Sequence, residues 1–391
     1  MKKHPVVEVL IEYVESGADV EAIAAERIAD ENPDLLQMAI DAFGSWEALL
    51  RQTVVALATP EPSAADEEAN PRDVERPERR VTAAASEPLA VIADPGTVFL
   101  LPLTTLPAAP DRQLRPLPSG PGADHLPERI AWTGEDMAMV ILTDRGQVVA
   151  VDRRLLQPWS ADAIARPLIE RFSGIEPRER AALVAPRRAV REQARFFTVT
   201  ADGQVKASEA SEYARLSSDA MVGSLLREGD RFVAAFAGPA RGNVLVASSL
   251  AKAIVFDIAE LRPQGRKATG VRAIALDEGA TAVSAFVCPD DGWLVLATAQ
   301  GYFKRMRSAE FRAQGRGGGG LQTCRLGHGD TVTDLVSIDL AGDLLVLTSS
   351  GRYLRLAAYD VPLLGRSARG DRLVDLDAGE RVVQLVAVPA G

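Results

Sequence analysis

Short apolar runs that end in polar residues and a glycine recur along most of the chain. The runs LAVIADPG, MVILTDRG, FFTVTADG, LVLATAQG and LVLTSSG end at Gly96, Gly146, Gly203, Gly301 and Gly351, and VLVASSLA places Ala251 at the glycine position. Successive anchors lie 50, 57, 48, 50 and 50 residues apart. A nearly constant period of this length indicates a repeat architecture.

A second apolar run follows each anchor, in the order TVFLLP, QVVAVD, QVKASE, KAIVFD, YFKRMR and RYLRLA. Two β-type runs joined by a tight turn at glycine predict a β-hairpin. Later in several units an acidic turn precedes a further run, as in EGDRFVAAF and HGDTVTDLV. Four strands in each of six units predict a mainly β fold, a six-bladed β-propeller. The alternatives are a pair of β-sandwiches or a solenoid.

The first part of the chain has a different pattern. Apolar residues spaced i, i+3 and i+4 predict a small α-helical domain over residues 1–58. Residues 59–87 contain four prolines and many charges, and isolated valines are their only large apolar residues. Such a segment cannot bury enough surface to offset its ordering entropy, so we predict a flexible, acidic, Pro/Ala-rich linker. The predicted propeller then occupies residues 88–391.

The net charge of −10 is distributed unevenly. Residues 1–90 contain 8 Lys and Arg against 19 Asp and Glu, whereas the remainder contains 36 against 35. The acidity of residues 1–58 argues against phosphate binding there, and we predict that this helical domain either contacts a protein partner or is a simple structural cap.

Cysteine and histidine are too few for a disulfide framework or for a metal cluster. Two cysteines and three scattered histidines form no disulfide framework or metal cluster, so we expect no cofactor and no metal. The sequence has no run of 18 apolar residues, so we expect no membrane partner and a cytoplasmic protein.

Units five and six carry more specific sequence. The stretches GYFKRMRSAEFRAQGRGGGG (301–320), GDTVTDL, LLVLTSSGRYLRL and VPLLGRSARGDRLVDLDAGERVVQLVAV resemble the C-terminal domain of the gyrase A protein, which has a counterpart in topoisomerase IV. The resemblance covers about 86–391, and it is sharp from about 290 and faint before 190. It implies a six-bladed β-pinwheel that binds duplex DNA and bends it around its rim.

That family has a glycine-rich box of the form Q-basic-R-G-G-basic-G. Glycine replaces both flanking basic residues here, at positions 315 and 319, so two phosphate contacts are lost. This departure counts against gyrase-like tight chiral wrapping, whereas DNA binding is less affected because basic residues remain around the box. The degenerate box consists of Gln314, Gly315, Arg316, Gly317, Gly318, Gly319 and Gly320.

Basic residues of units four to six recur at one phase of the repeat. Repetition at one phase places them on one belt of a closed array, which suits a curved track of phosphates. The alternative interpretation is a solvated charged face. The predicted DNA-contacting set is Arg262, Arg266, Lys267, Lys304, Arg305, Arg307, Arg312, Gln314, Arg316, Arg325, Arg352, Arg355, Arg366 and Arg369.

The sequence shows no catalytic arrangement. Tyr353 is the only tyrosine that follows an arginine, and its position in a predicted strand makes it a packing residue rather than a DNA-cleaving nucleophile. We therefore predict a non-enzymatic protein that binds and bends or wraps duplex DNA largely independently of sequence. It would act in the nucleoid or as an accessory of gyrase or another topoisomerase. The alternative is a protein-interaction propeller that has lost DNA wrapping.

Overall fold

The computed structural model describes residues 88–390, apart from 94–95, 122–126, 135, 165–171, 177–178, 214–215 and 217–218. The helical domain and linker predicted before residue 88 lie outside the described residues, and the domain boundaries stay predictions. The described chain is a six-bladed propeller whose regular elements are mainly β-strands, which confirms the predicted fold class. None of its helices has the length and apolar character needed to cross a membrane.

Blades 1 to 3 are four-stranded sheets. Blade 1 contains β1 (Pro88–Ala93), β2 (Thr97–Pro102), β4 (Pro127–Trp132) and β7 (Gln157–Pro158). Blade 2 contains β5 (Ala138–Thr143), β6 (Gln147–Asp152), β8 (Ala181–Pro186) and β11 (Met221–Val222), and helix α1 (Arg187–Glu192) follows β8. Blade 3 contains β9 (Arg195–Thr200), β10 (Gln204–Glu209), β12 (Phe232–Gly238) and β15 (Val271–Arg272).

Blades 4 to 6 are also four-stranded sheets. Blade 4 contains β13 (Asn243–Ser248), β14 (Lys252–Asp257), β16 (Ala282–Cys288) and β19 (Leu321–Gln322). Blade 5 contains β17 (Trp293–Thr298), β18 (Tyr302–Arg307), β20 (Val332–Ile338) and β23 (Asp371–Arg372). Blade 6 contains β21 (Asp343–Thr348), β22 (Arg352–Ala357), β24 (Val382–Val388) and β3 (Arg115–Pro116). A short 3-10 helix follows the second strand of each blade, at Leu103–Thr105, Arg153–Leu155, Ala210–Tyr213, Ile258–Glu260, Ser308–Glu310 and Ala358–Asp360.

The two-residue strand of each blade comes from the next unit of the sequence. The pattern predicted four strands within each unit, and the structure corrects this assignment because every unit donates one short strand to the preceding blade. In blade 6 the donor is the first unit, since β3 pairs with β22 through Arg115 and Tyr353. This pairing joins the two ends of the propeller.

The innermost strands form a closed ring. Each of β4, β8, β12, β16, β20 and β24 contacts the next, and β24 contacts β4. Polar side chains link the later members of this ring, because Ser284 accepts a hydrogen bond from Leu335 N at 3.1 Å and Asp334 accepts one from Leu385 N at 3.2 Å. Burial raises the pKa of Asp334 to about 6.

Blades 6 and 1 are linked in the same way. The amide of Gln384 accepts from Ile130 N and donates to Ile130 O, both at 2.8 Å. This pair of hydrogen bonds closes the ring of innermost strands.

Apolar side chains fill the spaces between consecutive blades. Six buried clusters occur in the described residues, one at each junction, including the junction of blades 6 and 1. Successive strand residues point to opposite faces, and Leu344 accordingly packs toward blade 5 while Leu345 packs toward blade 1. Both faces of each blade are therefore buried, which explains why the sequence shows continuous apolar runs rather than alternation.

The repeated glycine provides a left-handed turn residue between the first two strands of a blade. Gly301 has φ +83°, and Ala251 at the equivalent position has φ +58°. A side chain is disfavoured in this region because its Cβ approaches the following carbonyl oxygen. The predicted hairpin turns are thus confirmed, and Ala251 is a true member of the set.

Changing Gly301 to alanine should lower the free energy of unfolding. A Cβ at this position would lie 2.7 Å from Val374 Cγ2 and 3.3 Å from Val374 O, in addition to the left-handed strain. We expect a loss of about 1–2 kcal/mol in urea denaturation. The matched control is Ala251→Gly, where relief of strain offsets the lost burial of one methyl group, worth about 0.8 kcal/mol. A Gly301→Ala protein as stable as the parent would contradict the assigned turn.

Candidate nucleic-acid interface

Three equivalent loops run along the outer edges of blades 3, 4 and 5. We call them the rim loops: residues 261–272, 311–322 and 361–372. Each ends in the donated two-residue strand, so it follows the edge strand of the preceding blade instead of packing on its own. One backbone hydrogen bond fixes the middle of each loop, from Gln264 N to Ala207 O, Gln314 N to Val255 O and Leu364 N to Arg305 O.

One arginine occupies the same place in every rim loop, and we call Arg266, Arg316 and Arg366 the rim arginines. Arg316 donates its backbone N–H to Glu260 Oε2 at 2.8 Å and its Nη1 to Arg272 O. Because Arg272 belongs to the rim loop of blade 3, this arginine joins two consecutive rim loops.

Arg366 repeats the arrangement one unit later. It donates its backbone N–H to Glu310 Oε2 at 2.7 Å and its Nη1 to Gln322 O at 2.7 Å. Arg266 has a looser ion pair, 3.7 Å from Glu212 Oε2. Arg316 and Arg366 therefore link the three rim loops across blades 3 to 5, and part of the guanidinium of each rim arginine is engaged by protein.

Apart from Arg369, the other cations of the rim loops are exposed to solvent. The loop of blade 3 has four cations and no acid, the loop of blade 4 has two cations and no acid, and the loop of blade 5 has three cations and one acid. Arg369 is half-buried and stacks on the ring of Tyr302 at 3.8 Å. The exposed cations on or beside these loops are Arg262, Lys267, Arg272, Arg312, Arg325 and Arg372.

Two members of the predicted set lie inside the protein. Lys304 is fully buried, and burial lowers its pKa to about 8. Arg305 is 3% exposed, and its guanidinium lies between the rings of Trp293 and Tyr359, at 4.6 and 5.1 Å. Burial also lowers the pKa of Arg305. Neither residue presents its charge on the surface of the rim.

Arg307 and Arg352 are engaged by neighbouring acids. Arg307 pairs with Asp291 at 3.3 Å and stacks on Trp293, whereas Arg352 pairs with Glu380 and Asp377. These ion pairs reduce what the two arginines can offer to a phosphate.

The guanidinium of Arg355 interacts with neighbouring groups inside the protein. Its guanidinium pairs with Asp343 at 2.7 Å, and its Nη1 donates to the carbonyls of Leu103 and Leu106. The pair joins blade 6 to the first unit. Tyr353, in the same strand, is 3% exposed and packs in the core, as its predicted strand position implies.

The glycine-rich box belongs to the rim loop of blade 4. At Gly320, a Cβ would lie 2.6 Å from Ala253 O, so a side chain does not fit between loop and blade. At Gly315 and Gly319 nothing lies within 4 Å of such a Cβ. The two positions that are basic in the family box thus have open space around them.

The sequence interpretation missed the edge of blade 6. The donated strand β3 brings Arg112 and Arg115 there, because the first unit supplies that blade. Arg112 is exposed, and Arg115 is 3.8 Å from Asp111. Matching the first unit to the later rim loops, with the strand exchange taken into account, would have found both.

The described residues offer no competing metal chemistry, since no group of three or more His, Cys, Asp or Glu side chains in them could hold a metal ion. What they provide is a series of flexible cations on an ordered backbone. Fold and site together define a closed propeller with exchanged short strands and a basic outer edge.

Comparison with known proteins shows which family these repeats resemble. Residues 242–289, 292–339 and 342–389 each match the family described as DNA gyrase C-terminal domain, beta-propeller. These three matches confirm the predicted resemblance.

Curated relatives agree over the same region. The gyrase A protein of Klebsiella oxytoca is 30% identical over 149 residues, which cover 38% of this chain and 17% of that protein. The gyrase A protein of Salmonella typhimurium is 27% identical over 149 residues, with the same two shares covered. The match therefore spans 17% of the length of these relatives.

Solved structures show the same fold. The DNA gyrase A C-terminal domain superposes with a TM-score of 0.66 at 16% identity, covering 77% of this chain and 99% of that one. The C-terminal domain of DNA topoisomerase IV gives a TM-score of 0.58 at 19% identity, covering 78% and 94%. Both likenesses concern the fold, and each covers more than three quarters of this chain.

Proposed function

We propose that this protein binds duplex DNA through the rim loops of blades 3 to 5, without catalysis and largely without sequence preference. The observation that carries the proposal is the set of solvent-facing cations on or beside the rim loops of three consecutive repeats. Lys and Arg on an exposed edge neutralise phosphates and release counterions, which supplies affinity that does not depend on base sequence.

The architecture of the rim supports backbone recognition. The rim loops consist of irregular chain and two-residue strands, and these offer no helix that could enter a major groove. Contacts to phosphates position a protein on the duplex, whereas contacts to base edges carry sequence information. The expected binding is therefore sequence-tolerant.

The ring arrangement supports bending. Consecutive blades are rotated relative to one another around the ring, so the rim loops describe an arc. A duplex that contacts all three loops must follow that arc, and the contacts offset the energy of deforming it. The missing cations at Gly315 and Gly319 reduce the contacts in the middle of the arc. This favours bending over the tight, handed wrapping that the full box would support.

One observation favours a second function, a protein-interaction propeller. Five of the predicted phosphate contacts already interact within the protein. Acidic side chains pair with Arg307, Arg352 and Arg355. The side chains of Lys304 and Arg305 are buried. The exposed cations of the blade 3 loop, which has no acid, still favour DNA. For the wider role, we propose a nucleoid or topoisomerase-accessory protein of the cytoplasm, with gyrase or another topoisomerase as protein partner.

Fluorescence anisotropy of the full-length protein with two duplexes of unrelated sequence tests the proposal. We expect similar affinity for both duplexes and a log–log dependence of affinity on salt with a slope of about −4 or steeper, as several phosphate contacts require. A DNA affinity that did not depend on salt concentration, or that depended on one sequence, would overturn DNA binding by the rim. The protein-interaction function would then be favoured.

A further inference from the structure

We infer that two buried lysines, Lys206 and Lys304, are positioning residues that hold the rim loops of blades 3 and 5 in the conformation that meets DNA. The inference rests on the proposed function and assigns to these residues a role in preorganising the rim rather than in touching phosphate. Each lies on the second strand of its blade, directly under a rim loop.

Lys304 holds the loop of blade 5 at the rim arginine. Its Nζ donates to Gly365 O at 2.9 Å and to Arg366 O. Glu310 accepts the backbone N–H of Arg366 at 2.7 Å, so side chains from blade 5 hold both the N–H and the C=O of this residue. With its backbone fixed on both sides, Arg366 aims its guanidinium with little loss of conformational entropy on binding.

Lys206 occupies the same strand position in blade 3. Its Nζ donates to Gly223 O and to Arg266 O, the latter at 3.2 Å, and Tyr213 lies beside it with its hydroxyl at 3.5 Å. The carbonyl acceptor is again that of the rim arginine. Two units apart in sequence, the same buried cation thus contacts the same atom of the repeat.

A buried ammonium is costly unless its hydrogen bonds are satisfied. Burial lowers the pKa of both lysines to about 8. An apolar residue is compatible with the fold at this position, since blade 4 has Ile254 there, under the glycine-rich loop. A lysine is therefore not required at this strand position for a blade to form. The hydrogen bonds of Lys304 go only to the rim loop of blade 5, whereas Lys206 also contacts Gly223 O and the Tyr213 hydroxyl.

Limited trypsin digestion followed by mass spectrometry tests the inference on the full-length protein without DNA. The carbonyl that each lysine holds is the one trypsin must cleave, at Arg366–Ser367 and at Arg266–Lys267. We expect Lys304→Ile to accelerate cleavage at Arg366–Ser367 about tenfold and leave Arg266–Lys267 unchanged, because local opening of a loop exposes it to protease. Lys206→Met should give the reciprocal pattern.

Lys252→Met is the matched control. It removes the same charge from the second strand of blade 4, but Lys252 is partly exposed and pairs with Asp277 at 2.8 Å instead of a loop carbonyl. Neither cleavage site should change in this variant. A uniform acceleration at both sites in Lys304→Ile, or none, would overturn the inference. Thermal unfolding and a second variant, Lys304→Met, separate a local opening from a failure to fold.

The salt dependence of DNA affinity distinguishes the positioning role from a purely structural one, because a purely structural role would leave it unchanged. If the backbone of Arg366 is no longer held, the log–log salt slope of DNA affinity of the Lys304→Ile protein should shrink by about 0.9, the equivalent of one phosphate contact. Faster cleavage with an unchanged slope would overturn the positioning role, because the loop would then not meet DNA. Absence of any DNA binding by the parent protein would instead count against the proposed function, whereas the cleavage pattern tests the lysine contacts independently.

Discussion

Replacing Arg262, Lys267 and Arg272 together with alanine should weaken DNA binding about 100-fold at low salt and flatten its salt dependence. All three side chains are exposed on the rim loop of blade 3. Each phosphate contact contributes about 0.9 to the log–log slope, so the slope should shrink by about 2.7. Stability should change little, since surface substitutions of this kind are usually within about 0.5 kcal/mol.

The matched control removes three charges from exposed positions off the rim. Arg227, Arg231 and Arg381 are exposed in turns that precede the innermost strands of blades 3 and 6. Their triple alanine variant has the same net charge as the rim variant, so long-range electrostatic effects should be similar. We expect its salt slope to stay close to that of the parent. Equal losses in the two variants would mean that net charge alone attracts DNA, and the rim would lose its role.

The hairpins could be predicted from sequence because their signals are local. The run KAIVFD coincides with β14, and the turn before it is left-handed at Ala251 just as the period requires. β-branched residues and a residue at positive φ act within a few positions of each other, so a single sequence shows both. The six units, their hairpins and the mainly β class all follow from this.

The exchanged short strands could not be predicted in the same way. A strand of two residues carries no periodic pattern, and its partner lies about one unit away in sequence. The pairing of Tyr302 with Arg372 spans such a distance. Ring closure is more remote still, since it joins Arg115 to Tyr353. Arg112 and Arg115 were missed for this reason, although their charge is evident in the sequence.

The sequence also could not predict which basic residues are buried. Lys304 and Arg305 are adjacent and point to opposite faces of one strand, and each face packs against a different blade. In an exposed sheet one of the two would have reached solvent. Here the acceptors for Lys304 are carbonyls some 60 residues further along the chain. Phase within the repeat grouped these basic residues but could not separate the exposed cations from the buried ones beneath them.

Replacing Arg355 with methionine should lower the free energy of unfolding by about 3–5 kcal/mol, because it removes an ion pair with the largely buried Asp343 and two hydrogen bonds to backbone carbonyls. Arg355 and Asp343 are 15% and 12% exposed, and the guanidinium also donates to Leu103 O and Leu106 O. These contacts lie where the first unit completes blade 6. Loss of the arginine would leave a carboxylate and two carbonyls without this donor at the site of ring closure.

Arg307→Met is the control, since Arg307 also pairs with an aspartate but in an exposed setting. The side chains of Arg307 and Asp291 are 43% and 80% exposed, and such a pair contributes at most about 1 kcal/mol. Urea denaturation should separate the two variants clearly. Adding Asp343→Leu to the Arg355→Met protein should recover part of the loss, because an apolar side chain then replaces the largely buried carboxylate that lost its arginine. Similar small losses in both single variants would show that the Arg355 pair does not secure the ring, and that β3 and the Gln384 contacts suffice to close it.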